Sequence, residues 1–165
     1  MNASIRPAEK RDYQEVITIL NQAITNQPST GFLNLFTVSD RKEWFEEHTL
    51  KKYPLLVSEL NGQIVGWISI SPYRKGRSAF RKTVEVSFFV HEAFKKQGIG
   101  SKLLSEMISL SKKLGYTCMI AIILDGNKGS KRLLEKNDFE HWGFLPEVAT
   151  ISNKMYGHLY YGRRL

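Results

Sequence analysis

The sequence predicts an α/β domain built on a mixed central sheet of about seven strands, with helices on both faces. Three observations carry that expectation. Two β-rich runs flank Asn61-Gly62, residues 83–90 alternate strictly between apolar and other side chains, and a glycine loop, an amphipathic stretch and a continuous apolar run follow in that order over 92–124. Strand, loop, helix and buried strand make a parallel unit with a right-handed crossover. In chain order the elements read β-α-α-β-β-β-α-β-α-β-β.

Each element has a local reason. Ser4 to Pro7 reads as a short edge strand. Asp12 then opens a helix that places Val16, Ile17, Leu20, Ala23 and Ile24 on one face. Ser39 or Asp40 caps a second helix, with Glu43 in its first turn and Trp44 and Phe45 on its buried side. Pro54 ends the linking segment. Leu55 to Glu59 and Ile64 to Ser71 form a hairpin, because Asn61-Gly62 tolerates the positive φ of a tight turn. In the next strand Val84, Val86, Phe88 and Val90 face one way, and Thr83, Glu85, Ser87 and Phe89 the other. After the glycine loop, Leu103, Leu104, Met107, Ile108 and Leu114 make one stripe of a helix that Gly115 ends. Thr117 to Leu124 is too short for a helix and rich in Ile, as expected of a strand covered on both faces. A helix over 128–136 and strands near 147–152 and 159–164 complete the chain.

The composition narrows the function. The chain has 165 residues, and 42% apolar and 12% aromatic content supports a sizeable core and excludes a disordered tail. No linker or repeat divides it, so residues 1–165 are expected to form one domain. The single cysteine, Cys118, excludes a disulfide scaffold and a thiolate metal site, and His48, His91, His141 and His158 lack metal spacing; no metal is expected. With no signal-like segment and no apolar run long enough to span a bilayer, a cytoplasmic setting is expected. Net charge is +8, which calls for an anionic partner. Five of the cations fall within Arg74 to Lys82, and Lys95, Lys96 and Lys102 flank the glycines.

The sharpest motif is Lys95-Lys96-Gln97-Gly98-Ile99-Gly100-Ser101, placed between a strand and a helix. Glycines let N–H groups converge there, and a helix N-terminus adds partial positive charge, so a phosphate binds well. The nucleotide-hydrolase loop Gly-x-x-x-x-Gly-Lys is absent, and the dinucleotide fingerprint fails at Leu103. The loop resembles the pyrophosphate motif [Arg/Gln]-x-x-Gly-x-[Gly/Ala] of the GCN5-related N-acetyltransferases (GNAT), with Lys95 first and Gly98 and Gly100 at the glycine positions. Asn127 and Ser130 resemble the family's Asn-x-x-Ser, and the order of elements resembles the GNAT fold over the whole chain. Trp44-Phe45, Tyr53 to Val57, Ile64-Val65-Gly66, Ala79 to Glu85 and Ser87 to Val90 are similar to the phosphinothricin and methionine-sulfoximine acetyltransferase branch.

That resemblance implies an acetyl-CoA-dependent N-acetyltransferase acting on the amine of a small amino-acid-like substrate by direct transfer in a ternary complex. It implies that the 95–101 loop holds the diphosphate, that Asn127 and Ser130 and the backbone of Phe88, Phe89 and Val90 line the pantetheine and acetyl group, and that the enzyme is a homodimer. Glu85 is the candidate base, since an ammonium must lose a proton before it attacks a thioester; the competing reading is an ion pair with Arg81. Arg74, Arg81 and Thr83 are candidates to hold the acceptor's carboxylate or phosphinate, against a solvated basic loop.

Departures from the branch bear on substrate identity. Val86 stands where His or Asp is common, and Leu134 where many members carry Tyr or His as proton donor to the leaving thiolate. Tyr156, Tyr160 and Tyr161 are possible replacements. Cys118, Trp44 and Trp67 read as packing residues, and Trp142 as packing or reaching a subunit interface. Two alternatives compete: an acetyl-CoA sensor without turnover, and a helix-hairpin-helix nucleic-acid module using Gly98-Ile99-Gly100.

Overall fold

The computed structural model describes residues 3–26 and 29–165. One sheet of seven strands runs in the order β1-β2-β3-β4-β5-β7-β6. The strands are β1 Ser4–Pro7, β2 Leu55–Leu60, β3 Gln63–Pro72, β4 Thr83–Val90, β5 Cys118–Leu124, β6 Glu140–Ile151 and β7 Lys154–Arg164. The helices are α1 Tyr13–Thr25, α2 Lys42–Glu47, α3 Ile99–Lys113 and α4 Lys128–Lys136. Every strand pairing is antiparallel except β4 with β5. This is the mixed sheet expected from the strand-helix-strand unit at 83–124, with helices on both faces.

Alternation along the strands divides the core. Val84 and Val86 of β4 join Leu103, Leu104 and Met107 of α3 and Leu134 of α4 on one face. On the opposite face Val16, Ile17 and Leu20 of α1 and Phe45 of α2 pack against Leu55, Val57 and Trp67. The Trp67 indole donates to the Val16 carbonyl at 3.0 Å, which satisfies a polar atom inside that layer. Asn61 and Gly62 both take positive φ, 51° and 81°, as the hairpin required.

Several local expectations need correction. Asp12 precedes α1 but caps no helical N–H. Its carboxylate accepts from the Arg6 guanidinium at 2.6 and 2.9 Å and from the Glu9 N–H at 2.7 Å, at the end of a 3-10 turn over Lys10–Asp12. The second helix starts at Lys42, because Ser39–Arg41 is a 3-10 turn. The last two strands are far longer than 147–152 and 159–164. Register shifts between His141 and Gly143 and between Leu145 and Ala149 carry β6 past Pro146 and past Glu147, whose φ is 52°. Such bulges break the alternation on which strand reading depends.

Candidate active site

Beyond Glu85 the sheet opens. The parallel register of β4 and β5 covers only Thr83–Glu85 against Cys118–Ile120, although β4 continues to Val90 and β5 to Leu124. The His91 N–H reaches the Val65 carbonyl, and the Thr83 carbonyl accepts from the Tyr73 N–H, so odd-numbered residues of β4 bond toward β3. Alternation then turns the N–H and C=O groups of Phe88 and Val90 into the gap.

Two cavities meet at this gap. The first, about 610 Å³, runs along Phe88 to Val90 to the start of α3 and across to the start of α4. Among the predicted cofactor residues, Phe88, Phe89, Val90, Lys95, Lys96, Gly98, Ile99, Gly100, Ser101, Asn127 and Ser130 all line it. Gln97 does not; its side-chain amide turns back to the Ala93 carbonyl at 3.4 Å. Phe94, Lys128 and Leu133 also line the cavity and were not singled out by the sequence.

The loop is shaped for an anion. Gly98 precedes α3 with φ +82°, a conformation a side chain would strain, and Lys96 is also left-handed at 63°. The first intrahelical bond of α3 reaches Gly98 from the Lys102 N–H, which leaves the earlier N–H groups of the helix free. A Cβ at Gly100 would come within 3.0 Å of Leu133, so the glycine also sets how closely α3 approaches α4. Lys95 forms an ion pair with Glu92, whereas the exposed Lys96 has none among the described residues. Asn127 Oδ1 accepts the Ser130 N–H at 3.0 Å as the N-cap of α4, and its Nδ2 has no partner among the described residues. Free N–H groups and unopposed lysine charge at one end, and open strand amides along the wall, fit a diphosphate joined to an amide-bearing arm.

The second cavity, about 430 Å³, shares Ser29, Phe88, Phe89, Asn127 and Ser130 with the first and lies on the α1 face of the sheet. Glu85 lines it, as do Ser87, Trp44, Trp67, Arg41 and His158. The competing ion pair with Arg81 does not form. The Arg81 guanidinium instead contacts the Ser78 carbonyl at 3.4 Å, and Glu85 has no charged partner among the described residues. Burial without a compensating cation pushes the Glu85 carboxyl above the usual glutamate value of 4.5.

Arg74 and Arg81 lie in the exposed segment between β3 and β4, outside the lining of both cavities. Thr83 is half-buried on β4, two residues from Glu85 and on the same face, and also outside the lining. Leu134 is fully buried in the core. Tyr156, Tyr160 and Tyr161 line neither cavity, and the Tyr161 hydroxyl is engaged by Glu135 at 3.1 Å. His158, opposite Leu124 in the β5–β7 pairing, does line the second cavity. No spacing motif marked it; it reaches the cavity only through that strand register.

Cys118 is buried, with its thiol pushed up by desolvation, and plays no part in the site. No group of three or more His, Cys, Asp or Glu among the described residues is placed to hold a metal. The helix-hairpin-helix reading falls, because β4 and a 3-10 turn over Glu92–Phe94 precede the glycines where that motif needs a helix.

Comparison with known proteins agrees with this geometry. The model of the Acetyltransferase (GNAT) family matches residues 21–139. YwnH of Bacillus subtilis (strain 168), named only provisionally as a phosphinothricin acetyltransferase, is 39% identical over 98% of this chain and 99% of its own. The L-methionine sulfoximine/L-methionine sulfone acetyltransferase of Salmonella typhimurium is 34% identical over 89% of this chain and 85% of its own. A GNAT superfamily phosphinothricin acetyltransferase from Sinorhizobium meliloti, solved with acetyl-CoA, superposes with a TM-score of 0.94 at 26% identity, covering 100% of this chain and 89% of that one.

Proposed function

The chain belongs to the GNAT acetyltransferase family and is an acetyl-CoA-dependent N-acetyltransferase, and from that premise we propose how its two cavities divide the reaction. The first cavity takes the cofactor and the second takes the amine of an amino-acid-like acceptor of the phosphinothricin or methionine sulfoximine class. The observation that carries this reading is their junction: the cavities meet beside the open backbone of β4, and Glu85 lines the acceptor side.

Bound there, acetyl-CoA supplies an acyl group activated as a thioester. The N–H groups at the start of α3, with Lys96, hold its diphosphate, and Asn127 Nδ2 with the Phe88 and Val90 backbone holds its arm. Glu85 takes the proton from the acceptor ammonium, directly or through a water, so that the nitrogen lone pair can attack the carbonyl carbon. An N–H of β4 in the gap stabilises the charge that develops on the carbonyl oxygen. The new C–N bond forms, the C–S bond breaks, and the second proton that the nitrogen sheds goes to the departing thiolate to give the free thiol. A thiolate leaves readily because thiols ionise near pH 8.5, so a buried Leu134 does not stop the reaction. Arg74, Arg81 and Thr83 serve any part of the acceptor that extends toward the β3–β4 connection.

The test is thiol release from acetyl-CoA across free amino acids, methionine sulfone and sulfoximine, polyamines and peptide N-termini. Release with the amino-acid acceptors is expected. Acetyl-CoA at about 100 times its Kd should also raise the melting temperature by roughly 5–10 °C. A temperature rise without thiol release from any amine would favour the sensor reading, and no rise would sink both.

We also read residues 1–165 as one cytoplasmic acetyltransferase domain that pairs as a homodimer. Trp142, Phe144, Leu145, Val148 and Met155 leave the β6–β7 hairpin with an apolar surface, each 42–54% exposed, which supports the pairing. Light scattering is expected to give twice the 19.0 kDa chain mass, and a monomeric mass at micromolar concentration would refute the dimer.

A further inference from the structure

Among the described residues, Arg41 is a cation with a buried donor that no acceptor satisfies. Arg41, at the entrance to α2, lines the same cavity as Glu85, yet its side chain makes neither an ion pair nor a hydrogen bond among the described residues. Its Nε is buried and unsatisfied. Aromatic rings fix its position: the guanidinium carbon lies 4.8 Å from the Trp44 ring centre, 5.2 Å from Phe36 and 5.6 Å from Phe32. The neighbouring acid forms no pair with it: Asp40 Oδ2 accepts from the N–H and hydroxyl of Thr37, both at 2.7 Å.

Rings hold a guanidinium by its face and leave its edge donors to be satisfied elsewhere. The stacked Nε is closed to solvent, so an acceptor for this guanidinium has to come to the edge that lines the cavity, and a ligand there meets a charged donor that no protein group has satisfied. Desolvation acts in the same direction, since it lowers the pKa of Arg41 and nothing nearby opposes it. The cavity therefore carries a carboxylate and a guanidinium that do not neutralise each other. A ligand bearing both charges on groups attached to one carbon satisfies the two together, and an α-amino acid is such a ligand.

We propose that Arg41 is the carboxylate-binding residue of the acceptor site, gripping the α-carboxylate while Glu85 faces the α-ammonium. The aromatic clamp makes this grip rigid, so that the carboxylate also positions the amine toward the open backbone of β4. Arg74 and Arg81, outside the cavity, then have no part in holding the α-carboxylate. This assignment rests on reading the second cavity as the acceptor site.

The test compares L-methionine sulfone with its carboxamide as acceptors for wild type, Arg41→Gln and Arg41→Lys. Loss of a hydrogen-bonded charge contact is expected to raise KM for methionine sulfone about 10- to 100-fold in Arg41→Gln. The carboxamide KM should move by a much smaller factor, and Arg41→Lys should fall between, since it keeps the charge without the fork. The melting-temperature rise with acetyl-CoA confirms that each variant is folded, and Arg41→Lys carries the test if Arg41→Gln is not. Equal changes for the two acceptors, or none for methionine sulfone, would overturn the assignment and leave the acetyltransferase reading intact. A wild type that acetylates the carboxamide as efficiently as the acid would do the same. Failure of the wild type to release thiol with any amino acid would overturn the acceptor-site reading, and this inference with it.

Discussion

Glu85→Gln is expected to lower kcat for acetyl transfer by on the order of 10²–10⁴-fold while the melting-temperature rise with acetyl-CoA stays at the wild-type level. The glutamine keeps the size of the side chain and removes only its proton affinity. In wild type, kcat/KM should fall on the acid side with an apparent pKa above the ordinary 4.5, because burial raises the Glu85 carboxyl with no nearby cation to bring it back. The substitution should erase that limb. Stability should move the opposite way. A carboxyl whose folded pKa is raised costs stability once the pH exceeds its unfolded value, and the full cost is reached above its folded value. Glu85→Gln is therefore expected to melt at or above the wild-type temperature at pH 7, and to lose that advantage below about pH 4. An unchanged kcat would remove Glu85 from the base role.

Asp12→Ala is expected to destabilise the fold by about 3 kcal/mol without changing the KM for either substrate. Arg6 joins β1 to the start of α1 through Asp12 and to β2 through Glu59, whose carboxylate accepts from Nε at 2.7 Å. The Asp12 side chain is 5% exposed, so truncation leaves a guanidinium short of its main partner and the Glu9 N–H without its acceptor. Arg6 holds the Asp12 carboxyl below its usual 3.8, helped by that N–H. The sign follows: a depressed carboxyl contributes stability that is present above pH 4 and is lost as the pH falls through its folded value. Thermal melts between pH 7 and pH 2 should show a steeper acid loss for wild type than for the variant. Parallel curves would mean that Asp12 contributes packing rather than charge.

What the sequence made legible was local. The glycine loop, the strand before it and the helix after it are contiguous, so their chemistry could be read in one line, and all of the predicted cofactor residues but Gln97 line the first cavity. The Asn61-Gly62 turn and the parallel crossover were equally visible, because each is set by a few neighbouring residues. The acceptor cavity was not. It draws Arg41 from the entrance to α2, Trp67 from β3, Glu85 from β4 and His158 from β7, and only Glu85 carried a motif. Arg41 looked like any cation of a basic chain until its rings and its missing partner could be seen. The length of β6 was hidden for another reason. Most of its side chains are exposed on both faces, so no period-two pattern exists to be read.

The short pairing of β4 with β5 also decides how the molecule coheres. On one side of that joint β1–β4 carry α1, α2 and α3; on the other, β5–β7 carry α4. Three residue pairs of strand register join the two halves at one end, a shared core of Val84, Leu103, Met107, Met119 and Leu134 runs across the joint, and the approach of Gly100 to Leu133 braces it further along. Between those points they part like the jaws of a clasp. A ligand lying there touches both jaws, so its binding free energy adds to the hold of one half on the other. Transfer removes only the acyl tip from that ligand. On the proposed reading the diphosphate and arm make the same contacts in the product thiol as in the thioester.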